Sequence, residues 1–220
     1  MRKILPFIIS FVVSVSLFAQ TDVTKFLGIS VDGFKPEMIQ KLKAKGFVNS
    51  ELDNDILKGE FNGAQVYLSV VTNNNKVYRI MLTDVIHIDE VAIKNRFNTL
   101  CEQFKNNSRY FSLGDYTIPN EEDISYEMLV NHKRYEAAFY QTMQFDSVAV
   151  QKEVTDKILA KYSEEEIVAA KDEIYNEILE YTIELMTKKS VWFMISESYG
   201  KYYITMYYDN EYNRANGEDL

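Results

Sequence analysis

The stretch "VWFMISESYGKYYITMYYD", Val191 to Asp209, limits what this chain can fold into more than any other segment. Two runs of β-branched and aromatic residues flank Tyr199-Gly200, where Gly200 permits a tight turn. Alternation puts Val191, Phe193 and Ile195 on one face of the first strand and Trp192, Met194 and Ser196 on the other. In the returning strand Tyr203, Thr205 and Tyr207 alternate with Tyr202, Ile204, Met206 and Tyr208. Both faces are substantially apolar, whereas a sheet with one wet face shows a cleaner alternation. The hairpin is therefore expected inside a sheet packed on each side, with helices on at least one. Tyrosine suits such a place, because its ring can be buried while its hydroxyl reaches a partner.

Earlier segments supply the packing elements. "FKPEMIQKLKAKGF" predicts a helix: Phe34, Met38 and Leu42 recur every four residues, Pro36 sits in the first turn, and Gly46 stands where a C-terminal cap belongs. Three strands follow, in "ILKGEFNG", "AQVYLSVV" and "VYRIMLTD", the last two joined by Asn73, Asn74 and Asn75, which tolerate left-handed backbone. "DEVAIKNRFNTLCEQFKNN" predicts an amphipathic helix with Asp89 as N-cap and Ile93, Phe97, Leu100, Cys101 and Phe104 as its apolar stripe. On that stripe Cys101 reads as a buried structural thiol. "ISYEMLVNHKRYEAAFYQT" predicts another hairpin, turning near Asn131-His132.

Val150, Val154 and Ile158 then mark a short helix. Ser163 and Glu166 form a capping box for a second, whose seam of Ala170, Ile174, Ile178, Tyr181 and Leu185 runs to about Thr187. The pair predicts a helical hairpin, residues 148–187, inserted between strands. A polar tail is expected from about residue 210. Together these elements predict an α+β fold: a largely antiparallel sheet of about seven strands packed by helices, in one domain spanning residues 20–220.

The first residues, "MRKILPFIISFVVSVSLFAQ", pair a basic start with an apolar run and a small residue, Ala19. That is the layout of a signal peptide over residues 1–19, cleaved to leave Gln20 first. It predicts export to the periplasm or the exterior with no membrane span after cleavage. The sole cysteine, Cys101, is remote from this segment, so neither a lipid anchor nor an internal disulfide is expected. Of 24 basic and 33 acidic residues, Arg2 and Lys3 leave with the signal, and 22 against 33 gives a net charge of −11. Such a chain repels phosphate backbones, so nucleic acid is not an expected partner.

Motifs for chemistry are sparse. His87 and His132 lack a metal-ligand spacing, and neither a nucleophile elbow nor a phosphate loop is present. The cluster of Asp84, His87, Asp89 and Glu90 reads as a loop and a helix start. Ser198-Tyr199-Gly200-Lys201 reads as a hairpin turn, and "DNEYNRANGEDL" fails the EF-hand spacing, with Arg214 and Leu220 at the positions needing Gly and Glu. No catalytic residue, metal ligand or cofactor is therefore assigned.

"FLGISVDGFKPEMIQKLKAKGF" and the strands after it, from Phe26 to Asp84, resemble the unit of the β-lactamase-inhibitor-protein-like and outer-membrane assembly-lipoprotein folds. The resemblance rests on Gly28 and Gly33 before Glu37-Met38-Ile39 and Leu42. It implies a short helix before an antiparallel sheet, sometimes in tandem, and transfers no functional residue. The "LFAQ" and "YNRANGEDL" segments resemble those of exported Bacteroides-type proteins, which implies a compartment.

The expected function is a non-enzymatic binding protein of the bacterial envelope, its partner a protein or other envelope ligand. Tyr and Trp dominate interface hot spots, so Trp192, Tyr202 and Tyr208 are its candidate contacts. Two alternatives stand beside it: a carboxylate-dependent hydrolase of carbohydrate or peptide, and a structural protein self-associating through the helical hairpin.

Overall fold

The structure, a computed structural model, describes residues 22–53, 55–142, 152, 155, 156, 158–163 and 171–215. The chain divides into two compact units, one of residues 23–142 and 188–220, the other holding the inserted segment 143–187.

In the first unit an eight-stranded sheet runs in the order β3-β4-β5-β6-β10-β9-β8-β7, antiparallel throughout. Its strands are β3 (Val48–Asn49), β4 (Ile56–Phe61), β5 (Ala64–Asn73), β6 (Lys76–Asp84), β7 (Tyr110–Phe111), β8 (Glu136–Gln141), β9 (Ser190–Ser198) and β10 (Lys201–Asp209). A separate two-stranded ribbon, β1 (Lys25–Phe26) with β2 (Ile29–Ser30), precedes it. Helices α1 (Lys35–Ala44), α2 (Glu90–Lys105) and α3 (Ile124–Val130) belong to the same unit. The α+β class and the helix-packed antiparallel sheet follow the sequence expectation, with β3 and β7 as short additional edges.

The sheet is two matching halves. Each begins with a helix (α1 or α2), continues through four strands in meander order, and ends on a strand that pairs with its counterpart at the centre. The match reaches individual residues. Before α1, the Gly33 carbonyl accepts from Val77 N at 2.8 Å; before α2, Ile88 and Tyr202 exchange two such bonds, each 2.8 Å. The central hairpins also correspond, turning at Asn74-Asn75 (φ 46° and 63°) and Tyr199-Gly200 (φ 52° and 72°). Only the helix-then-meander order of this repeat is visible in the residues.

The core lies between one sheet face and the helices. Met38 and Leu42 of α1, the Ile93-Phe97-Leu100-Cys101-Phe104 stripe of α2 and Ile124 of α3 are buried in one cluster with strand residues Val66, Leu68, Ile80, Leu82, Phe139 and Phe193. Asp89 caps α2 as expected, its Oδ1 accepting from Ala92 N at 2.8 Å. Burial pushes the Cys101 thiol up to about 12. A β-bulge in β6 shapes the opposite face: Val71 pairs with Arg79 but Thr72 with Val77, so Tyr78 is the extra residue. Val77 and Ile80 therefore both reach the core despite their odd spacing, and Arg79 turns to the other face.

Three sequence expectations are corrected. Ile124–Val130 is a helix, not the first arm of a hairpin; Asp123 Oδ1 caps it through Tyr126 N at 2.8 Å, and Ile124 and Met128 supply its inward contacts. His132 lies in the turn (φ 53°), but that turn joins α3 to β8. The expected tail begins as packed structure: Asn210 is buried and donates to the Val31 carbonyl at 2.8 Å, and Asn213 donates to that of Val77 at 2.9 Å.

The second unit is described by itself. Helix α4 (Lys171–Thr187) ends where the seam predicts, with Ile174 buried. Glu177 ties it to the segment before it, accepting from Lys161 Nζ at 2.8 Å and Tyr162 OH at 2.9 Å. Val150, Val154, Glu166 and Ala170 of the predicted hairpin lie outside the described residues.

Candidate aromatic platform on the sheet

Within the sheet unit the three helices cover one face, and the other carries the side chains of Tyr67, Ser69, Arg79, Met81, Thr83, Trp192, Met194, Tyr203, Thr205 and Tyr207. The two-residue turn at Tyr199-Gly200 sets the register. Ser198 pairs with Lys201, so Trp192 pairs with Tyr207 and both point away from the helices.

There Trp192 and Tyr207 stack, with ring centroids 4.0 Å apart and planes 18° apart. The Arg79 guanidinium lies 4.7 Å from the Tyr207 ring centre and 5.5 Å from that of Trp192. Asp209 holds the group together. Its carboxylate accepts from Arg79 Nε at 2.6 Å and Nη2 at 2.7 Å, and from the Trp192 indole Nε1 at 2.9 Å. Asp209 is 2% exposed and the Arg79 side chain 20%. Its hydrogen bonds to Asp209 raise the Arg79 pKa against the opposing effect of burial, so the cation is firmly charged. Burial raises the Tyr207 phenol and keeps it protonated.

The result is a stack of cation, phenol and indole held in place by Asp209, an arrangement that lowers the ordering cost of binding. It offers apolar ring edges and, at Arg79 Nη1, a donor that makes no hydrogen bond among the described residues. Such a surface can hold a flat or aliphatic group beside a hydrogen-bond acceptor.

Of the three residues chosen from sequence, only Trp192 lies on this platform. Tyr202 and Tyr208 are 4% exposed and face the helices. The Tyr202 hydroxyl is 2.7 Å from Ser125 Oγ, and Tyr208 packs edge-on to Phe26, with centroids 4.9 Å apart, while its phenol reaches Tyr110. Burial therefore takes both from the contact surface. In a two-residue hairpin even-numbered residues pair with odd ones, so Trp192 shares a face with Tyr207 and not with Tyr202 or Tyr208. The turn carried that signal. Arg79 and Asp209 carried none, since a bulge places one and the sheet centre joins them.

Two carboxylates of the Asp84, His87, Asp89 and Glu90 cluster have structural partners. Asp84 is bound by Arg96, Nη2 to Oδ1 at 2.6 Å, and Asp89 caps a helix. His87 stacks on Tyr203, with centroids 4.4 Å apart. A depression of about 170 Å³ is lined by Asn62, Arg96, Thr99, Leu100 and Gln103, without a carboxylate. Among the described residues no group of three or more acids, histidines or cysteines is arranged to hold a metal, and no helix is long and apolar enough to cross a membrane.

Compared with protein-family models, curated proteins and solved structures, the chain matches none.

Proposed function

We propose that this protein is a non-enzymatic binding protein of the bacterial envelope, exported by its first 19 residues, which recognises its partner through the platform of Trp192, Tyr207 and Arg79. The observation that carries the reading is the stack itself, fixed by the buried Asp209 on the sheet face away from the helices. Preorganised aromatic and arginine side chains are the groups that dominate interface energies. The basic, apolar, small-residue order of the first segment supports export.

Trp192 is the only tryptophan, so its fluorescence reports directly on this face. The chain from Gln20 and its Trp192→Ala variant are each used to recover partners from an envelope extract. Selective loss of one partner in the variant, with quenching of Trp192 when that partner is added to the parent, supports the reading. Equal recovery by both proteins removes this face from the function.

A second reading has its own observation. On α4, Tyr175, Leu179 and Ile183 recur every four residues and are all exposed, so self-association through the helical hairpin has an apolar stripe to use. A strict monomer in light scattering at high concentration refutes it.

A further inference from the structure

The end of the sheet where β9 turns into β10 carries apolar groups that folding does not use. Tyr199 is fully exposed, 102% relative to a free side chain, and its backbone is left-handed at φ 52°. The matching turn of the first half has Asn74 there, at φ 46°, a residue that tolerates this conformation. A bulky side chain is strained in it and recovers nothing here by burial. Strain of this kind points to contact outside the chain.

Exposed apolar residues lie on the segments tied to this hairpin. The paired bonds between Ile88 and Tyr202 set Ile86 beside the base of the hairpin. Ser125 Oγ lies 2.7 Å from the Tyr202 hydroxyl, and Ile124 N donates to Glu90 Oε1 at 3.0 Å, so the start of α3 is seated against the start of α2. Helix α3 buries Ile124 and turns Tyr126, Leu129 and Val130 outward, at the spacing of a single helix face. Val91 follows Glu90, the α2 residue that receives the start of α3. All five residues, Ile86, Val91, Tyr126, Leu129 and Val130, are more than half exposed.

The segments that carry these residues are acidic in balance: Asp89, Glu121, Asp123, Glu127 and Glu197 stand against Lys201, while Lys133 is paired with Glu122 and Arg134 with Glu136. A second copy would set acidic segments against acidic segments, and an anionic bilayer would be repelled.

We propose that this end of the sheet is a second docking surface, taking a polypeptide whose apolar residues are flanked by lysine or arginine. It is independent of the Trp192 platform, because its residues lie around the hairpin tip and on α2 and α3.

Backbone amide shifts of the whole chain test this with two synthetic amphipathic helical peptides, one of leucine and lysine and one of leucine and glutamate. The leucine–lysine peptide should give saturable shifts confined to residues 86–91, 124–130 and 197–201, and should bind roughly tenfold more tightly than its acidic counterpart. Tyr199→Asn should weaken that binding roughly tenfold while raising Tm, since it removes the ring and relieves the turn. Leu129→Ser should weaken it with Tm unchanged. Absence of binding, equal binding of the two peptides, or shifts centred elsewhere overturns the proposal. So do shifts of these residues caused instead by zwitterionic vesicles or by raising the protein concentration, and a lowered Tm for Tyr199→Asn with binding intact.

Discussion

Asp84 and Asp209 each end the last strand of a meander, on opposite faces of the sheet: each is buried, and each grips an arginine through two hydrogen bonds. Asp84 also accepts from Ile204 N at 3.1 Å, across the seam between the halves. Removing either carboxylate strands a partly buried guanidinium. Asp84→Ala and Asp209→Ala should each lower stability by about 3 kcal/mol. Replacing Arg79 and Asp209 together with apolar residues of similar volume should cost less than losing Asp209 alone. Urea unfolding of the four proteins decides this.

Phe193 is fully buried, its ring centroid 5.1 Å from that of Phe97, 5.8 Å from Phe104 and 6.0 Å from Phe139. Its removal would leave a cavity among three other rings. Phe193→Ala should cost about 3–5 kcal/mol. Phe34→Ala, at a site 55% exposed, should cost less than about 1 kcal/mol. Denaturant midpoints of the two variants give the comparison.

Gly59 is required for a reason other than its backbone. A Cβ there would stand 2.6 Å from the ring of Phe47, which is buried and cannot swing away. Gly59→Ala should destabilise by about 1–3 kcal/mol. The double variant with Phe47→Leu should lose less than the sum of the two single changes, as thermal unfolding can show.

Hydrogen bonds from Lys105 and then Thr117 bring the Asp115 carboxyl down to about 2, from an ordinary 3.8. A depressed carboxylate contributes stability above its unfolded pKa and loses it as pH falls through the folded value. The contribution of Asp115 should therefore be present above about pH 4 and fade toward pH 2. An NMR titration should place its midpoint near 2, and Lys105→Ala should return it toward the ordinary value. An unchanged midpoint in that variant would remove Lys105 as the cause.

Cys101 is buried, and desolvation raises its thiol to about 12. Only the thiolate reacts, so a thiol reagent at about pH 8 should leave the native protein unmodified. One equivalent should react in denaturant. Rapid labelling of the folded chain would contradict the burial.

Local pattern was enough for much of this fold. The stripe from Ile93 to Phe104 is wholly buried, and the Asn74-Asn75 turn forms where two β-runs meet, because amphipathic period and turn chemistry act within a few residues. The same reasoning misread Ile124–Val130. Tyr126, Leu129 and Val130 face outward there, and their apolar character hides the Ile124–Met128 spacing that marks the inner face. It also grouped Trp192 with Tyr202 and Tyr208, which the hairpin register sends to the helix side.

The order of residues by itself determined the α+β class, the inner faces of α1 and α2 and the two central hairpins, since each depends on neighbours close along the chain. Tertiary structure decided the platform. Arg79 and Asp209 meet because β6 and β10 pair at the centre of the sheet, and a single bulged residue turns the arginine to the face that Trp192 and Tyr207 share. The doubling of the fold was likewise settled there, for hydrogen bonds between backbones repeat from half to half while the side chains that accompany them do not.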